Sequence, residues 1–467
     1  MADKASVVPV DKIFSQAPEI NKEYVKVMIK EDIAVLCINR EARKKRSMPF
    51  KALYDNNHQF WLQSGNWEYF LIEECFADIK EKVLRSLPDG WKPPELNISK
   101  EDINTDLGYG SEYEIIAAMS NEERVEKINE FSHQLNGLIS KKNKTPEKVT
   151  EALVETTKQA ALINHATIIN AMQLADNEAK NITQNLVTST CDMVKSSVFL
   201  VSENLLNDDL MNTLVEKSNG TIVQHMTRVY LTGLSFLAYY NKLVSTSSII
   251  NKLRINVERK YSRFYCALMP DLHRKHLTLE KIFYGGMRAI PYEVLYVWAV
   301  GFLVHDIGKA SSIEYHEGEE AYNREIVVEH VKLGYTSIMN KTNYPREAGL
   351  IAGYHHEYYG DNSGYGFFRT YLDSYKKLNP NARQDFFISY ELEPMMDYKA
   401  KAFFPAKILE IIDIYDSVTD PKRKYRKAMT PDEALVMMRE EFINKHLKID
   451  PLLFDIFVAF IREKEKK

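Results

Sequence analysis

From Tyr292 the chain reads Tyr-Glu-Val-Leu-Tyr-Val-Trp-Ala-Val-Gly-Phe-Leu-Val and then delivers His305-Asp306. A helix that is apolar nearly all round has no solvent face, so this segment predicts a buried helix that starts at Pro291 and ends on a polar pair. A carboxylate in such surroundings must be paired, hydrogen-bonded or metal-bound, because leaving it desolvated and alone costs several kcal/mol. Partners recur downstream: His330, the adjacent pair His355-His356, and Asp413 inside the apolar run Ile408 to Tyr415. Neutral imidazoles mixed with anionic oxygens suit a hard or borderline divalent metal bridged by a carboxylate. At helical spacing Lys309 falls beside His305 and Asp306, so its ammonium can meet an anion bound at the same place. Adjacent histidines are expected to point to different sides, so that they can serve two neighbouring metals or one metal and one phosphate.

Composition narrows the class. At 467 residues, 45% hydrophobic and 27% charged, the chain reads as a globular protein of two or three domains. A net charge of −4 supplies no basic excess for a large nucleic acid. Cys37, Cys75, Cys191 and Cys266 show no metal-knuckle or disulfide spacing, which fits a reducing cytoplasm. No signal segment is evident at the start, and the longest apolar runs fall short of the roughly 18 residues that span a bilayer.

Three regions follow in order. Residues 1–105 read as a mixed α+β regulatory or structural module. Alternating strands are expected at Tyr24 to Ile29 and Ile33 to Ile38, and a hairpin about Ser64-Gly65-Asn66. His58 reads as core or turn. Residues 106–205 read as a helical connector, through which the chain could form a homodimer. One helix is expected to start at Thr145-Pro146, and His133 and His165 stand alone on this region as structural or exposed residues. Residues 206–467 hold the clustered histidines and acids. Two places compete for a first imidazole: His225, opening an apolar-periodic helix, and the pair His273 and His276, nearer to His305-Asp306. Spacing leaves both open.

Taken in order, the motifs His225-x-x-Arg228-Val229, His305-Asp306-Ile307-Gly308-Lys309, His330 with Gly334, His355-His356-Glu357, Asp361-x-x-Gly364-Tyr365, Asp413-Ile414-Tyr415-Asp416 and Arg423-Lys424-Tyr425-Arg426-Lys427 resemble the HD-GYP family of the HD phosphohydrolase superfamily, bacterial cyclic di-GMP phosphodiesterases. The resemblance covers residues 206–467. It implies a mainly α fold with an all-helical C-terminal domain. It also implies metal ligands at His225, His305, Asp306, His330, His355, His356 and Asp413, and favours His225 over His273. Lys309 would contact phosphate, and Tyr365, Arg423 and Arg426 the substrate. The implied cofactors are two divalent ions, iron or manganese, sharing Asp306, and the implied products are linear pGpG or GMP.

Several departures stand out. Gly366 replaces the proline of the family's Gly-Tyr-Pro. Thr221 and Asn219 stand where some members have an acidic third-metal ligand and an acidic ligand contact. Longer stretches than usual precede Pro291 and follow Gly366, the second rich in aromatic residues and readable as packing or as a lid. Two rival readings come with these departures: a cyclic dinucleotide receptor without turnover, and a phosphohydrolase acting on another nucleotide.

Overall fold

The computed structural model describes the backbone of residues 25–30, 33–39, 60–64 and 67–72, and residues 110–141, 145–172, 174–204, 222–246, 249–269, 272–311, 324–359, 364–366, 387–396, 400, 402–420 and 428–465. The chain divides into two compact units, residues 1–107 with 311–316, and residues 108–310 with 317–467. In the first, β1 (Val25–Lys30), β2 (Ile33–Asn39), β3 (Phe60–Ser64) and β4 (Trp67–Ile72) form an antiparallel sheet in the order β1-β2-β4-β3. Ser64 faces Trp67, so Gly65-Asn66 is a two-residue connection, the length that keeps two strands in one twisted ribbon. His58 lies outside the described residues.

The second unit is helical. Its elements are α1 (Gly110–Ala118), α2 (Asn121–Ser140), α3 (Pro146–Met172), α4 (Asp176–Asn204), α5 (Ile222–Thr246), α6 (Ile249–Leu268), α7 (Tyr292–Leu303), α8 (Arg324–Lys341), α9 (Arg346–Tyr354), α10 (Phe404–Thr419), α11 (Pro431–Met437) with a π-helical continuation at Met438–Asn444, and α12 (Pro451–Glu465). Local chemistry sets several starts. Pro146 opens α3 while the Thr145 hydroxyl accepts from the Lys148 amide. Ser120 with Glu123, and Thr430 with Glu433, close reciprocal capping boxes at α2 and α11.

Helix α5 is the hub. Met226, Val229, Tyr230, Leu231, Leu234, Phe236, Leu237 and Tyr240 are all buried, which leaves it almost no solvent face. It packs against α3, α4, α7, α10 and α12. Helix α3 is nearly as deep, and its buried polar groups are answered locally: Thr156 donates to the Ala152 carbonyl at 2.7 Å, and Asn164 to the Ala160 carbonyl at 2.9 Å and Thr190 Oγ1 at 3.1 Å. The helices from 110 to 204 are thus part of the same core as those after 222. The expected boundary near 205 falls in residues outside those described.

The stretch before Pro291 becomes α6, whose Tyr261 and Tyr265 hydroxyls donate to Asp455 and Asp450, each at 2.7 Å. Gly285 and Gly286, at φ +79° and +77°, then turn the chain toward α7. The described end of the stretch after Gly366 is packing. β5 (Ile388–Ser389) lies parallel to β6 (Ala402–Phe403), and Tyr390 stacks on Phe404 at 4.2 Å and on Trp298 at 6.3 Å. Phe367, Phe368, Tyr371, Tyr375 and Phe386 lie outside the described residues.

Candidate metal centre

Helix α7 stops at Leu303, one turn before the sequence pattern suggested, and His305 and Asp306 occupy the turn into a 3₁₀ segment, Ile307–Ser311. A close approach requires this. A Cβ on Gly308 would lie 1.9 Å from the His330 carbonyl oxygen and 2.5 Å from the Gly334 nitrogen, so only glycine lets this turn lie flat against α8. The 3₁₀ register, rather than an α-helical one, brings the Lys309 ammonium onto Asp306 Oδ2.

Five elements then converge. His225 comes from the first turn of α5, His305 and Asp306 from the turn after α7, His330 from α8, His355 and His356 from the C-terminal end of α9, and Asp413 from the middle of α10. All seven are buried. Two groups of donor atoms form, each with every atom within 4.8 Å of the others: His225, His305, Asp306 and Asp413, and His330, His355 and His356. Asp306 sits between them. Its Oδ2 lies 3.3 Å from His225 Nε2 and 3.5 Å from His305 Nε2, and its Oδ1 3.2 Å from His330 Nε2 and 3.7 Å from His355 Nε2.

The imidazoles are set in one tautomer by what lies behind them. His305 Nδ1 faces the Phe302 carbonyl at 2.9 Å and His355 Nδ1 the Ala352 carbonyl at 2.8 Å. A carbonyl only accepts, so each Nδ1 carries the proton and each Nε2 turns a lone pair inward. His225 Nδ1 donates to the Asp416 carboxylate at 2.7 Å, which leaves its Nε2 as the nitrogen facing Asp306 and Asp413. His225 Nε2 lies 2.9 Å from Asp413 Oδ1, yet neither this oxygen nor Asp306 Oδ2 is aligned for a hydrogen bond to it. His305 Nε2, Asp306 Oδ1 and His356 Nδ1 are likewise buried without a hydrogen-bond partner. Buried polar atoms are seldom left so. Inward lone pairs with anionic oxygens among them are the donor set that a divalent cation satisfies, so the residues fit a metal.

The pair His355-His356 departs from expectation. The two rings do not diverge. Their centroids are 4.0 Å apart and both belong to the group with His330, because His355 remains in a helical conformation as the cap of α9. Tyr365 stacks on His356 at 4.4 Å, beside the same group. The replacement at 366 also has a local cause: a Cβ there would lie 2.0 Å from Glu357 Oε2, so the Glu357 carboxylate takes the space a proline ring would need. His273 and His276 sit together on an exposed 3₁₀ turn, Arg274–His276, where His273 caps the Lys275 amide. They are in neither donor group. His133 is exposed, whereas His165 is fully buried on α3 and feels the Asp306 charge. Arg423, Arg426, Asp361, Thr221 and Asn219 lie outside the described residues.

The sequence reading left Asp416, Arg228 and Asp420 without a role. Arg228 forks onto Asp416, Nε to Oδ1 at 2.7 Å and Nη2 to Oδ2 at 2.9 Å, and Nη2 also donates to Asp420 Oδ2 at 2.7 Å. The spacing held a signal: His225 and Arg228 are i, i+3 on α5, and Asp413 and Asp416 are i, i+3 on α10, one face of each helix, with Asp420 following at the cap of α10.

Burial and charge pull the histidines apart. Burial pushes His165 and His305 down to about 3 and His330 to about 4. Burial also lowers His225, but Asp306, Asp413 and Asp416 outweigh it and raise that imidazole to about 10. Burial opposes ionisation of Asp306, yet the Lys309 ammonium holds it well below the usual carboxylate range. The pocket therefore favours positive charge beside Asp306 and Asp413.

A pH dependence follows for chelator-treated protein. Unfolded imidazoles take up a proton near pH 6.5. Folded His165, His305 and His330 refuse it until about pH 3 to 4, so unfolding binds protons in between, and stability falls as pH drops from 6.5 toward 4. His225 runs the other way, its contribution complete below pH 6.5 and lost as pH climbs to 10. Burial of Glu410, only partly offset by Lys407, raises it from 4.5 to about 8, so its contribution is lost as pH rises through that window, against the three low histidines below pH 6.5 and together with His225 above it. Thermal melts of the chelated protein should give the highest Tm near pH 6.5 and lower values at pH 5 and 8.5. A steady gain from pH 6.5 to 8.5 would contradict this. Mn(II) should flatten the alkaline limb, because a cation replaces the proton at His225.

No family model, curated protein or solved structure matches the chain. Among the described residues no helix is long and apolar enough to cross a membrane.

Proposed function

We propose that this pocket holds two divalent cations, iron or manganese, and that the protein is a metal-dependent phosphodiesterase of HD-GYP type that hydrolyses cyclic di-GMP to linear pGpG or GMP. The observation that carries the reading is the position of Asp306, whose two carboxylate oxygens face two separate donor groups. One group would take its ion with His225, His305, Asp306 and Asp413, the other with His330, His355 and His356, with Asp306 shared. Mixed imidazole and carboxylate donors favour iron or manganese over magnesium, which prefers oxygen and retains several waters. Such a pair supplies Lewis acidity toward a phosphoryl oxygen and lowers the pKa of water beside it.

The chain's own residues do the rest. Carbonyls 302 and 352 hold His305 and His355 in the tautomer that offers Nε2. Lys309, 15% exposed at the rim of the site, leaves Asp306 for the non-bridging phosphate oxygens and stabilises charge as it develops there. Tyr365, beside His356, borders the place where a base or ribose would rest. Arg423 and Arg426 come three residues apart in the segment after α10, close in sequence to Asp420, and in this reading fork onto a guanine edge or the second phosphate.

The test is metal analysis of protein purified without oxygen, then incubation of the Mn(II)-loaded protein with cyclic di-GMP and identification of products. Linear dinucleotide or GMP is expected. Tight binding of intact ligand without product would instead make the protein a cyclic dinucleotide receptor, and turnover of another nucleotide in a substrate panel would reassign the substrate.

A further inference from the structure

We infer that Asp416 is a positioning residue for the metal centre: it fixes the ring of His225 so that Nε2 meets Asp306 and Asp413, and Arg228 in turn fixes Asp416. The inference rests on the metal reading proposed above. Carboxylates three residues apart on one helix flank both nitrogens of His225: Asp416 accepts from Nδ1 at 2.7 Å, and Asp413 Oδ1 lies 2.9 Å from Nε2. Asp416 is in neither donor group; its oxygens are engaged behind the ring, where they accept three hydrogen bonds, one from His225 and two from the Arg228 fork. Its side chain is 12% exposed and that of Arg228 3%, so the fork works with little competition from water.

The geometry also says what a neutral residue would do. Each oxygen of Asp416 meets an N–H of Arg228, and Oδ2 meets the imidazole N–H as well. An asparagine amide placed here must set its own NH₂ against one of those donors. If the NH₂ faces His225, Nδ1 must become the acceptor, the proton moves to Nε2, and the lone pair aimed at the cation is lost. If it faces Arg228, the fork opens and the residue behind His225 is no longer held. Either way His225 stays in place as a residue but offers Nε2 to the cation less well.

The experiment uses the full chain and Mn(II) alone, titrated by the electron paramagnetic resonance of free Mn(II), with the visible spectrum of the Co(II)-loaded protein as a readout of ligand geometry. Asp416→Asn is expected to weaken binding of one ion by about 10- to 100-fold and to change the Co(II) spectrum. Tyr265→Phe, which removes a buried hydrogen bond to Asp450 outside the site, is expected to lower Tm yet keep Mn(II) affinity within about threefold, separating positioning from stability. If Asp416→Asn does not fold, Asp416→Glu, which keeps the charge but displaces it, is measured in its place and should also bind more weakly. A folded Asp416 variant with wild-type affinity and spectrum overturns this inference alone. A wild-type chain that takes up no Mn(II) overturns the metal reading and this inference with it.

Discussion

If the proposed two-metal phosphodiesterase reading holds, Asp306→Asn should abolish binding of the second Mn(II), weaken the first by more than about 100-fold and remove turnover with it, since changes behind the ligands alone cost metal sites about 10- to 100-fold. Asn keeps the shape of the side chain and discards the charge, so the result isolates electrostatics. Asp306 is fully buried, has four imidazole nitrogens between 3.2 and 3.7 Å, and pairs with the Lys309 ammonium. Only a carboxylate can offer one anionic oxygen to each donor group. In chelated protein the same change takes from the Lys309 ammonium its Asp306 partner and from the charged His225 one of three neighbouring carboxylates, and breaking a buried ion pair from one side costs about 3–5 kcal/mol. Denaturant unfolding with chelator should therefore show a large loss. Mn(II) titration retaining two tight ions per chain would rule out Asp306 as the shared ligand.

Gly308→Ala is expected to damage the centre without touching any ligand. Its Cβ would press on the His330 carbonyl at 1.9 Å and on backbone of Gly334 at 2.5 Å, and backbone cannot rotate aside as a side chain can. The turn and α8 must separate, moving His330 from Asp306. Overpacking that forces backbone shifts costs about 1–3 kcal/mol or more, and this case belongs at the top of that range. Gly334→Ala is the contrast. Its Cβ would meet nothing nearer than 3.4 Å, and a helical alanine gains roughly 1 kcal/mol over glycine. Equal Tm values for the two variants would show that the contact is looser than described.

What could be read in advance was the chemistry of single residues. His305-Asp306, His330, His355-His356 and Asp413 announce themselves because imidazoles and carboxylates in apolar segments demand an explanation wherever the chain goes. The mainly helical character was legible for a similar reason, since periodicity is local. Spacing alone left His225 and His273 open and only the resemblance favoured His225; packing separates them physically, with His225 on the hub helix α5 and His273 on an exposed 3₁₀ turn. The exit of His305 and Asp306 from α7 was hidden because it depends on Gly308 meeting a strand of backbone twenty-two residues away in sequence, at His330. Asp416 was passed over because its partners, His225 and Arg228, are nearly two hundred residues upstream. The depth of α3 was missed because an Ala- and Thr-rich helix looks alike at a surface and in a core.

That depth sets a limit on how the protein can be trimmed. Cutting the chain at 206 to isolate the region that carries the clustered histidines would strip α3 and α4 from the hub helix and uncover apolar side chains of α5, the helix that carries His225. Such a fragment should precipitate or bind metal poorly, whereas one beginning near residue 108 retains the whole helical unit.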